Sequence, residues 1–195
     1  MNIKRMIWMG LIGIALMAGQ AYAIDTHAPE ALVRTTLDQV TKILRNNDLS
    51  MDQKKTAVLN IVAPRFDLPL MAKLTLGKKH WTALPRDKRQ EFSSLFSALL
   101  KRSYLGKIDL YSNEKINFKP AQTKKNKVYV PTELISAGKT VPITYKLYKS
   151  KEGWKIYDAD ISGTSIILSH RAEYDAILRN GTIDDLLAKL RQSLK

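Results

Sequence analysis

The spacing of hydrophobic residues changes along the chain, from a helical period in the first half to a strand period in the second. In the first half, apolar residues recur every three or four positions, which predicts a series of helices. Ser50 and Gln53 form a capping box that opens the second helix, and Gly77 is predicted to end the third. Pro85 begins the longest helix, whose apolar face is broader than a surface helix needs. That breadth predicts a helix that is covered by a sheet or that lines an apolar space.

In the second half the period is two, which predicts antiparallel strands joined by short turns. Turn residues fall at 124–126, 137–138 and 151–153, so the segment forms a meander of about four strands. Helical spacing returns after Ser165 and again after Thr182. The whole pattern predicts an α+β fold, in which several helices pack on one face of a curled antiparallel sheet of about four to five strands.

One stretch joins the last predicted strand to the helix that follows it. The strand that begins at Trp154 breaks at Ser162-Gly163, and Thr164 or Ser165 is placed to cap the first turn of the next helix. Such a corner brings backbone N–H groups and hydroxyls to one place, which is typical of the mouth of a pocket. The same residues are also consistent with a tight turn that has only a structural role, and the sequence leaves both interpretations open.

The first residues of the chain have the features of a secretory signal peptide. Two basic residues precede an apolar run that is shorter than the roughly 20 residues needed to cross a bilayer. Ala21 and Ala23 then form a cleavage signal of the A-x-A type. We therefore predict a cleaved signal peptide at residues 1–23 and a single domain at residues 24–195, with a retained N-terminal anchor as the alternative.

Composition narrows the classes of partner. The chain has 32 Lys and Arg against 18 Asp and Glu, a net charge of +14, and no cysteine, so it folds without disulfide bonds. The predicted signal peptide holds two basic residues and no acidic one, which leaves +12 on the remainder. A secreted protein does not meet nucleic acid, and anionic lipid headgroups are the polyanion available to it. A basic protein that makes no use of its charge is the alternative.

The sequence holds no clear catalytic or metal-binding constellation. The three histidines have no neighbours at metal-ligand spacing. Gly163-Thr164-Ser165 lacks the second glycine of a nucleophile elbow, and Asp158 and Asp160 share a strand face without general acid–base geometry. These observations favour a binding protein without a cofactor over an enzyme. The apolar residues on the concave face of the sheet predict either a filled core or a ligand cavity, and periodicity does not distinguish the two.

Several longer motifs resemble one protein family. They cover nearly all of the chain from Ile24 onward, in the order and at the spacing of that family. The motifs are FDLPLMA from Phe66, LTLGKKHW ending at Trp81, QEF from Gln90, VPITYKL from Val141, WKIYD from Trp154, GTS from Gly163 and RAEY from Arg171. In these residues the chain resembles the MlaC-type, or toluene-tolerance, family of periplasmic phospholipid-binding proteins of Gram-negative bacteria.

The resemblance implies a fold related to the nuclear-transport-factor-2-like barrel, with an internal apolar lipid cavity between the sheet and the long helices. It implies a monomeric periplasmic carrier with phospholipid as its cargo, no metal and no enzymatic activity. The implied partners are an outer-membrane lipoprotein–porin complex and the substrate-binding subunit of an inner-membrane ABC transporter, between which the carrier shuttles lipid to maintain outer-membrane asymmetry. A carrier of another lipid such as a hopanoid, or a periplasmic chaperone, is the alternative.

The resemblance also assigns residues to a lipid site. Tyr104 and the turn Gly163-Thr164-Ser165 are expected to border the mouth, and Asp158 is expected to hold that turn. The family has a branched aliphatic residue where this chain has Thr164, which keeps the shape but adds a hydroxyl. The cavity wall is predicted to include Tyr104, Val128, Val130, Ile143, Tyr145, Leu147, Trp154 and Ile156. Plain core packing is the alternative for each of the strand residues.

Overall fold

A computed structural model describes residues 25–105, 114–136 and 138–195, without the side chains of Tyr104 and Leu105. The predicted signal peptide at residues 1–23 lies outside these ranges. Before the sheet, the described chain forms α1 (His27–Leu44), α2 (Met51–Val62), a 3-10 turn (Ala63–Arg65), α3 (Leu68–Ala83) and α4 (Arg86–Leu105). After the sheet it forms α5 (Ile166–Asn180) and α6 (Ile183–Ser193). None of the helices in the described ranges is both long and apolar enough to cross a membrane.

The strands form one antiparallel sheet, which confirms the predicted α+β fold. They are β1 (Lys115–Phe118), β2 (Gln122–Lys124), β3 (Lys127–Ser136), β4 (Lys139–Ser150), β5 (Gly153–Ile161) and β6 (Thr164–Ser165). Their order is β1-β3-β4-β5-β6, and β2 pairs with β3 beside β1. The short strands β2 and β6 extend the predicted meander at its two edges.

The predicted helix caps at Ser50, Ser165 and Thr182 are confirmed. The Ser50 hydroxyl accepts the Gln53 N–H at 3.3 Å, and the Gln53 side chain accepts the Ser50 N–H at 2.8 Å. Thr182 makes the same reciprocal arrangement with Asp185. These caps satisfy backbone donors that the first helical turn leaves without a partner, so the polar residues at these positions define where the helices begin.

The prediction that the third helix stops at Gly77 is confirmed, but the pattern did not predict the short helical segment that follows it within α3. Gly77 has a φ of 73°, a left-handed backbone conformation that glycine adopts without steric cost, but helical structure resumes and continues to Ala83. The interruption frees the Leu74 carbonyl, which accepts hydrogen bonds from the Arg171 guanidinium of α5, including one from Nε at 2.9 Å. The break in α3 is therefore held by a contact from another helix.

The hydrophobic core has two parts. The larger part lies among α3, α4, α5 and α6, and contains an aromatic group in which Phe92 and Phe96 contact the edge or face of Tyr174 at centroid distances of 5.7 and 6.4 Å. The smaller part lies between α1 and the sheet, where Val33 packs against inward residues of β3, β4 and β5. The helices therefore cover one face of the sheet, and α1 covers a different part of that face from α3, α4, α5 and α6.

Candidate functional site

An apolar cavity of about 240 Å³ lies between the sheet and the helices. Its lining residues come from every layer around it: Leu59, Val62, Ala63, Phe66, Leu68, Met71, Leu100, Lys101, Ile143, Tyr145, Ala159, Ile161 and Ile166. Nearly all of these side chains are hydrocarbon, so the cavity favours an apolar ligand over a polar one.

The sheet side of the cavity follows from strand alternation. Ile143 and Tyr145 lie two apart on β4, and Ala159 and Ile161 lie two apart on β5, so each pair faces the same side of the sheet. The strands are paired with Ile143 opposite Ile161 and Tyr145 opposite Ala159. Ala159 contributes only a methyl group to this wall, and the short side chain leaves room for the cavity.

Tyr145 places a hydroxyl in these apolar surroundings. The side chain is only partly covered by protein atoms because it lines the cavity. The described residues offer its hydroxyl no hydrogen-bond partner. Burial raises the pKa of Tyr145 to about 12, so the phenol stays neutral at physiological pH. The result is a neutral hydrogen-bond donor facing the cavity.

Lys101 marks the side of the cavity that reaches the solvent. Its residue is exposed, yet it belongs to the cavity lining beside Leu100 of α4. A lysine in this position packs its hydrocarbon stem along apolar surface and keeps its ammonium group in water. A ligand with an apolar body and a charged end would therefore meet apolar residues inside and a positive charge at the rim.

The corner between β5 and α5 is held by a buried carboxylate. Asp158 accepts a hydrogen bond from the Ser165 hydroxyl at 2.7 Å and another from the Ile167 N–H at 3.1 Å. Ser165 in turn accepts the Leu168 N–H at 3.1 Å and caps α5. The expectation that Asp158 holds this turn is confirmed. The fixed corner places Ile166, the first residue of α5, in the cavity wall.

Lys146 on the neighbouring strand offsets part of the negative charge of this corner. Its ammonium lies 2.9 Å from Asp158 and 2.7 Å from Asp160, although the Asp160 contact lacks hydrogen-bond alignment. Burial by itself lowers the pKa of Lys146, but the attraction of the Asp160 and Asp158 carboxylates outweighs it and leaves the pKa raised. Lys146 therefore stays charged and compensates one of the two negative charges beside it.

The structure places the predicted site residues in several environments. Ile143 and Tyr145 line the cavity, whereas Val128, Val130, Leu147 and Ile156 are fully buried against α1 in the smaller core cluster, and Trp154 packs against that cluster. Gly163 and Thr164 are exposed in the turn after Ile161, and Ser165 is buried. The Tyr104 side chain lies outside the described residues. The lipid-binding roles of all these residues remain predictions.

Sequence reasoning missed the lining residues that come from α2 and the turn after it. Leu59, Val62 and Ala63 follow an ordinary helical pattern that does not reveal which element they face. Phe66, Leu68 and Met71 stand within the FDLPLMA motif and carried a signal that could have been used. Ile161 lies beyond a bulge in β5, where the register shifts opposite Lys146 and Leu147, so extending the alternation from Ile156 would have missed it.

A comparison with protein families identifies the chain. The family model described as "MlaC protein" matches residues 34–192. The chain belongs to the MlaC family. A solved structure similar to this MlaC protein is that of the phospholipid-binding protein from Ralstonia solanacearum, in complex with a phospholipid. It is 26% identical, has a TM-score of 0.75, and the match covers 85% of this chain and 96% of that chain.

The MlaC family and the phospholipid-bound relative together indicate a protein that binds or transports phospholipid. The ligand in that relative is a phospholipid, and the family implies no cofactor. Within residues 25–105, 114–136 and 138–195, no group of three or more His, Cys, Asp or Glu side chains is placed to hold a metal ion.

Proposed function

We propose that this MlaC protein is a periplasmic phospholipid carrier without enzymatic activity. In this proposal residues 1–23 are a cleaved signal peptide and residues 24–195 form a single lipid-binding domain. The carrier moves phospholipid between an outer-membrane lipoprotein–porin complex and the substrate-binding subunit of an inner-membrane ABC transporter, and so maintains the lipid asymmetry of the outer membrane. The observation that carries the proposal is the apolar cavity between sheet and helices, with Lys101 at its rim.

A physical argument supports a cavity for this task. Two acyl chains carry roughly 30 methylene groups, and their exposure to water costs on the order of 25 kcal/mol at about 0.8 kcal/mol each. A lipid therefore crosses an aqueous compartment only inside an apolar container. A cavity that replaces the apolar interior of the bilayer makes loading and unloading nearly neutral in free energy. The carrier then needs no covalent step, which agrees with a cavity lined by hydrocarbon side chains.

The proposal is tested by native mass spectrometry on protein recovered from bacterial periplasm without detergent, followed by organic extraction of the bound material. The expected result is a mass excess equal to one intact phospholipid. Release of fatty acid would indicate a hydrolase instead. A pentacyclic lipid in the extract would identify a hopanoid carrier. Protein without any bound lipid would contradict the proposal and leave a chaperone to be tested with unfolded substrates.

Thr164 provides a variant that tests the predicted mouth. It is exposed, and it follows Gly163 in the turn beside Ile161 and Ile166 of the cavity wall. We expect Thr164→Glu to abolish most lipid loading, because a carboxylate at the mouth must lose hydration as an acyl chain passes. Thr123→Glu is the matched control, since Thr123 is also exposed on a short edge strand but lies on β2. Equal lipid content in both variants would contradict the assignment of Thr164 to the mouth.

A further inference from the structure

Two hairpin turns bring lysines together at one end of the sheet. Lys124 and Lys127 pair across the β2–β3 turn, Lys127 pairs with Tyr148, and Tyr148 pairs with Lys155 on β5. The register thus places the β2–β3 turn next to the β4–β5 turn. We call the resulting surface the lysine end, and its members are Lys124, Lys125, Lys127, Lys149, Lys151 and Lys155. Glu152 is the acidic residue in these two turns.

Most of these lysines have no ion-pair partner among the described residues, although Lys124 lies 5.8 Å from the ring centroid of Tyr129. Lys155 is engaged, since it donates to the Pro64 carbonyl at 3.0 Å and lies 3.4 Å from Glu152. Lys127 lies 4.4 Å from the ring centroid of Tyr157. The other four lysines are exposed and, among the described residues, have no ion-pair partner: Lys124, Lys125, Lys149 and Lys151. The lysine end therefore keeps an uncompensated positive charge.

The chemistry of the lysine end fits a diffuse anionic surface better than a shaped protein partner. Protein interfaces are depleted in lysine and rely on buried aromatic or arginine anchors. The exposed large hydrophobic residues of the described chain are Met51 and Leu168, and neither lies on these turns. Lysine is a flexible, strongly hydrated point charge, which suits headgroups that move laterally in a bilayer.

We propose that the lysine end binds the surface of anionic phospholipid membranes. The contact is electrostatic and involves headgroups, so it does not require lipid in the cavity. This proposal is therefore independent of the proposed carrier function. Strand β4 runs from Ile143 in the cavity wall to Ser150 at the lysine end, which is seven residues, or about 23 Å in an extended strand. A protein held by this end keeps the cavity away from the bilayer and open to a protein partner.

The test measures co-sedimentation of the protein, produced from the full chain, with lipid vesicles. Vesicles of equal parts phosphatidylcholine and phosphatidylglycerol are compared with vesicles of phosphatidylcholine alone, at about 0.1 M salt so that distant charges are screened. We expect binding to the anionic vesicles to be roughly tenfold stronger or more, and to weaken as salt is added. Lys101 at the cavity rim would also favour anionic headgroups, so the contribution of the lysine end is separated from that of the cavity by variants that leave Lys101 unchanged.

A pair of charge-matched variants locates the surface. The test variant replaces the four unpaired lysines by glutamine: Lys124→Gln, Lys125→Gln, Lys149→Gln and Lys151→Gln. The control variant makes the same change at four exposed lysines of α1 and α3: Lys42→Gln, Lys73→Gln, Lys78→Gln and Lys79→Gln. We expect the first to lose roughly tenfold or more in anionic-vesicle binding and the second less than about threefold. Lys125→Gln with Lys151→Gln is the milder form if the first variant unfolds.

Two results would overturn the proposal. Equal losses in the two variants would show that net charge, and not the lysine end, determines binding. Failure of the unmodified protein to bind anionic vesicles would also refute it, and would leave an acidic protein surface as the partner for these lysines.

Discussion

The inner face of the sheet has a filled half and a hollow half. In the filled half, Val128, Val130, Leu147 and Ile156 are almost completely buried against Val33 of α1. The hollow half lies further along the same strands, where Ile143 and Ile161 face each other across the cavity wall and remain partly uncovered. In β3 and β4 one alternation of apolar residues runs through both halves, and in β5 it resumes with shifted parity after a bulge opposite Lys146 and Leu147. Both halves therefore present apolar residues inward, and the difference arises from what covers them.

The covering helices explain the difference. Helix α1 places Val33 directly on the filled half, and side chains interdigitate there as in an ordinary core. Over the hollow half, α2 contributes Leu59 and Val62, which reach the cavity lining without filling it. Opposite them, Ala159 supplies a single methyl group. Strand alternation therefore defines the inner face, whereas the covering helices decide whether that face forms a core or a binding site.

The largest expected effect comes from truncating one residue of each half. Leu147→Ala should lower the free energy of unfolding by about 3 kcal/mol, because a well-packed side chain leaves a cavity when it is shortened. Ile143→Ala, on the same strand, should cost only about 1 kcal/mol, because part of its surface already faces empty space. Urea unfolding of delipidated protein measures both, since bound lipid would stabilise the native state. Equal losses would refute the distinction between the two halves.

The second effect concerns the boundary between the halves, where Asp158 anchors the start of α5. Asp158→Asn should lower the free energy of unfolding by about 2–3 kcal/mol, because a buried acceptor of two hydrogen bonds and an ion pair is replaced by a group with a mismatched donor. Asp160→Asn is the control: it also contacts Lys146, but its side chain is 28% exposed and should lose less than about 1 kcal/mol. Thermal or urea unfolding distinguishes these values, and a reversed order would contradict the role of Asp158.

The third prediction concerns replacement of alanine by leucine, which should raise the free energy of unfolding in the hollow half and lower it in the packed core. Ala159→Leu places extra carbon atoms in the cavity and should stabilise the delipidated protein by about 1 kcal/mol while reducing its lipid content. Ala72→Leu makes the same change at a residue that is 0% exposed in the packed core, and should cost about 1–3 kcal/mol through overpacking. Unfolding curves and native mass spectra of both variants test the pair. A loss of stability in Ala159→Leu would indicate that the cavity cannot accept added volume.

The sequence was sufficient for the features that depend on local chemistry. The caps at Ser50 and Thr182 follow from residue types at fixed spacing, and the structure confirms them. The role of Asp158 in the turn was implied by the family resemblance and is also confirmed. The alternation of the strands also identified inward residues of β3, β4 and the start of β5, but not Ala159 and Ile161, which lie beyond the bulge in β5. The helical segment after Gly77 shows the limit of this reasoning, because it was not predicted and the Arg171 contact with the Leu74 carbonyl beside it comes from a distant segment.

The cavity could be predicted only in part, for a related reason. Ile143 and Leu147 occupy the same kind of position on one strand, and nothing in their spacing shows that α1 covers one and leaves the other beside a cavity. The contributions of Leu59 and Val62 depend on how α2 packs on the sheet, which is a long-range arrangement. The family resemblance predicted that a lipid site exists, but the covering helices determine where it lies.

The smallest expected change in the free energy of unfolding comes from removing the hydroxyl of Tyr145, which lies in the hollow half. Tyr145→Phe should change the free energy of unfolding at pH 7 by less than about 0.5 kcal/mol, because the hydroxyl has no hydrogen-bond partner among the described residues. Tyr148→Phe is the contrast, since the Tyr148 hydroxyl donates to the Asp67 carboxylate and its loss should cost about 1 kcal/mol. Urea unfolding at pH 7 measures both changes. A cost at Tyr145 as large as that at Tyr148 would mean that its hydroxyl is bonded in the native state.

The pH dependence of the stability of Tyr145→Phe provides a second test of the burial of Tyr145. Burial raises the pKa of Tyr145 to about 12, above the value of about 10 for an exposed tyrosine. A raised pKa in the folded state stabilises the protein fully below pH 10, and this contribution is lost as the pH rises from 10 to 12. Tyr145→Phe cannot ionise at this position, so its stability should fall less steeply over that window. The other tyrosines are present in both the unmodified protein and the variant, so their contributions cancel when the two stabilities are subtracted. Parallel profiles of stability against pH for the two proteins would contradict the burial of Tyr145.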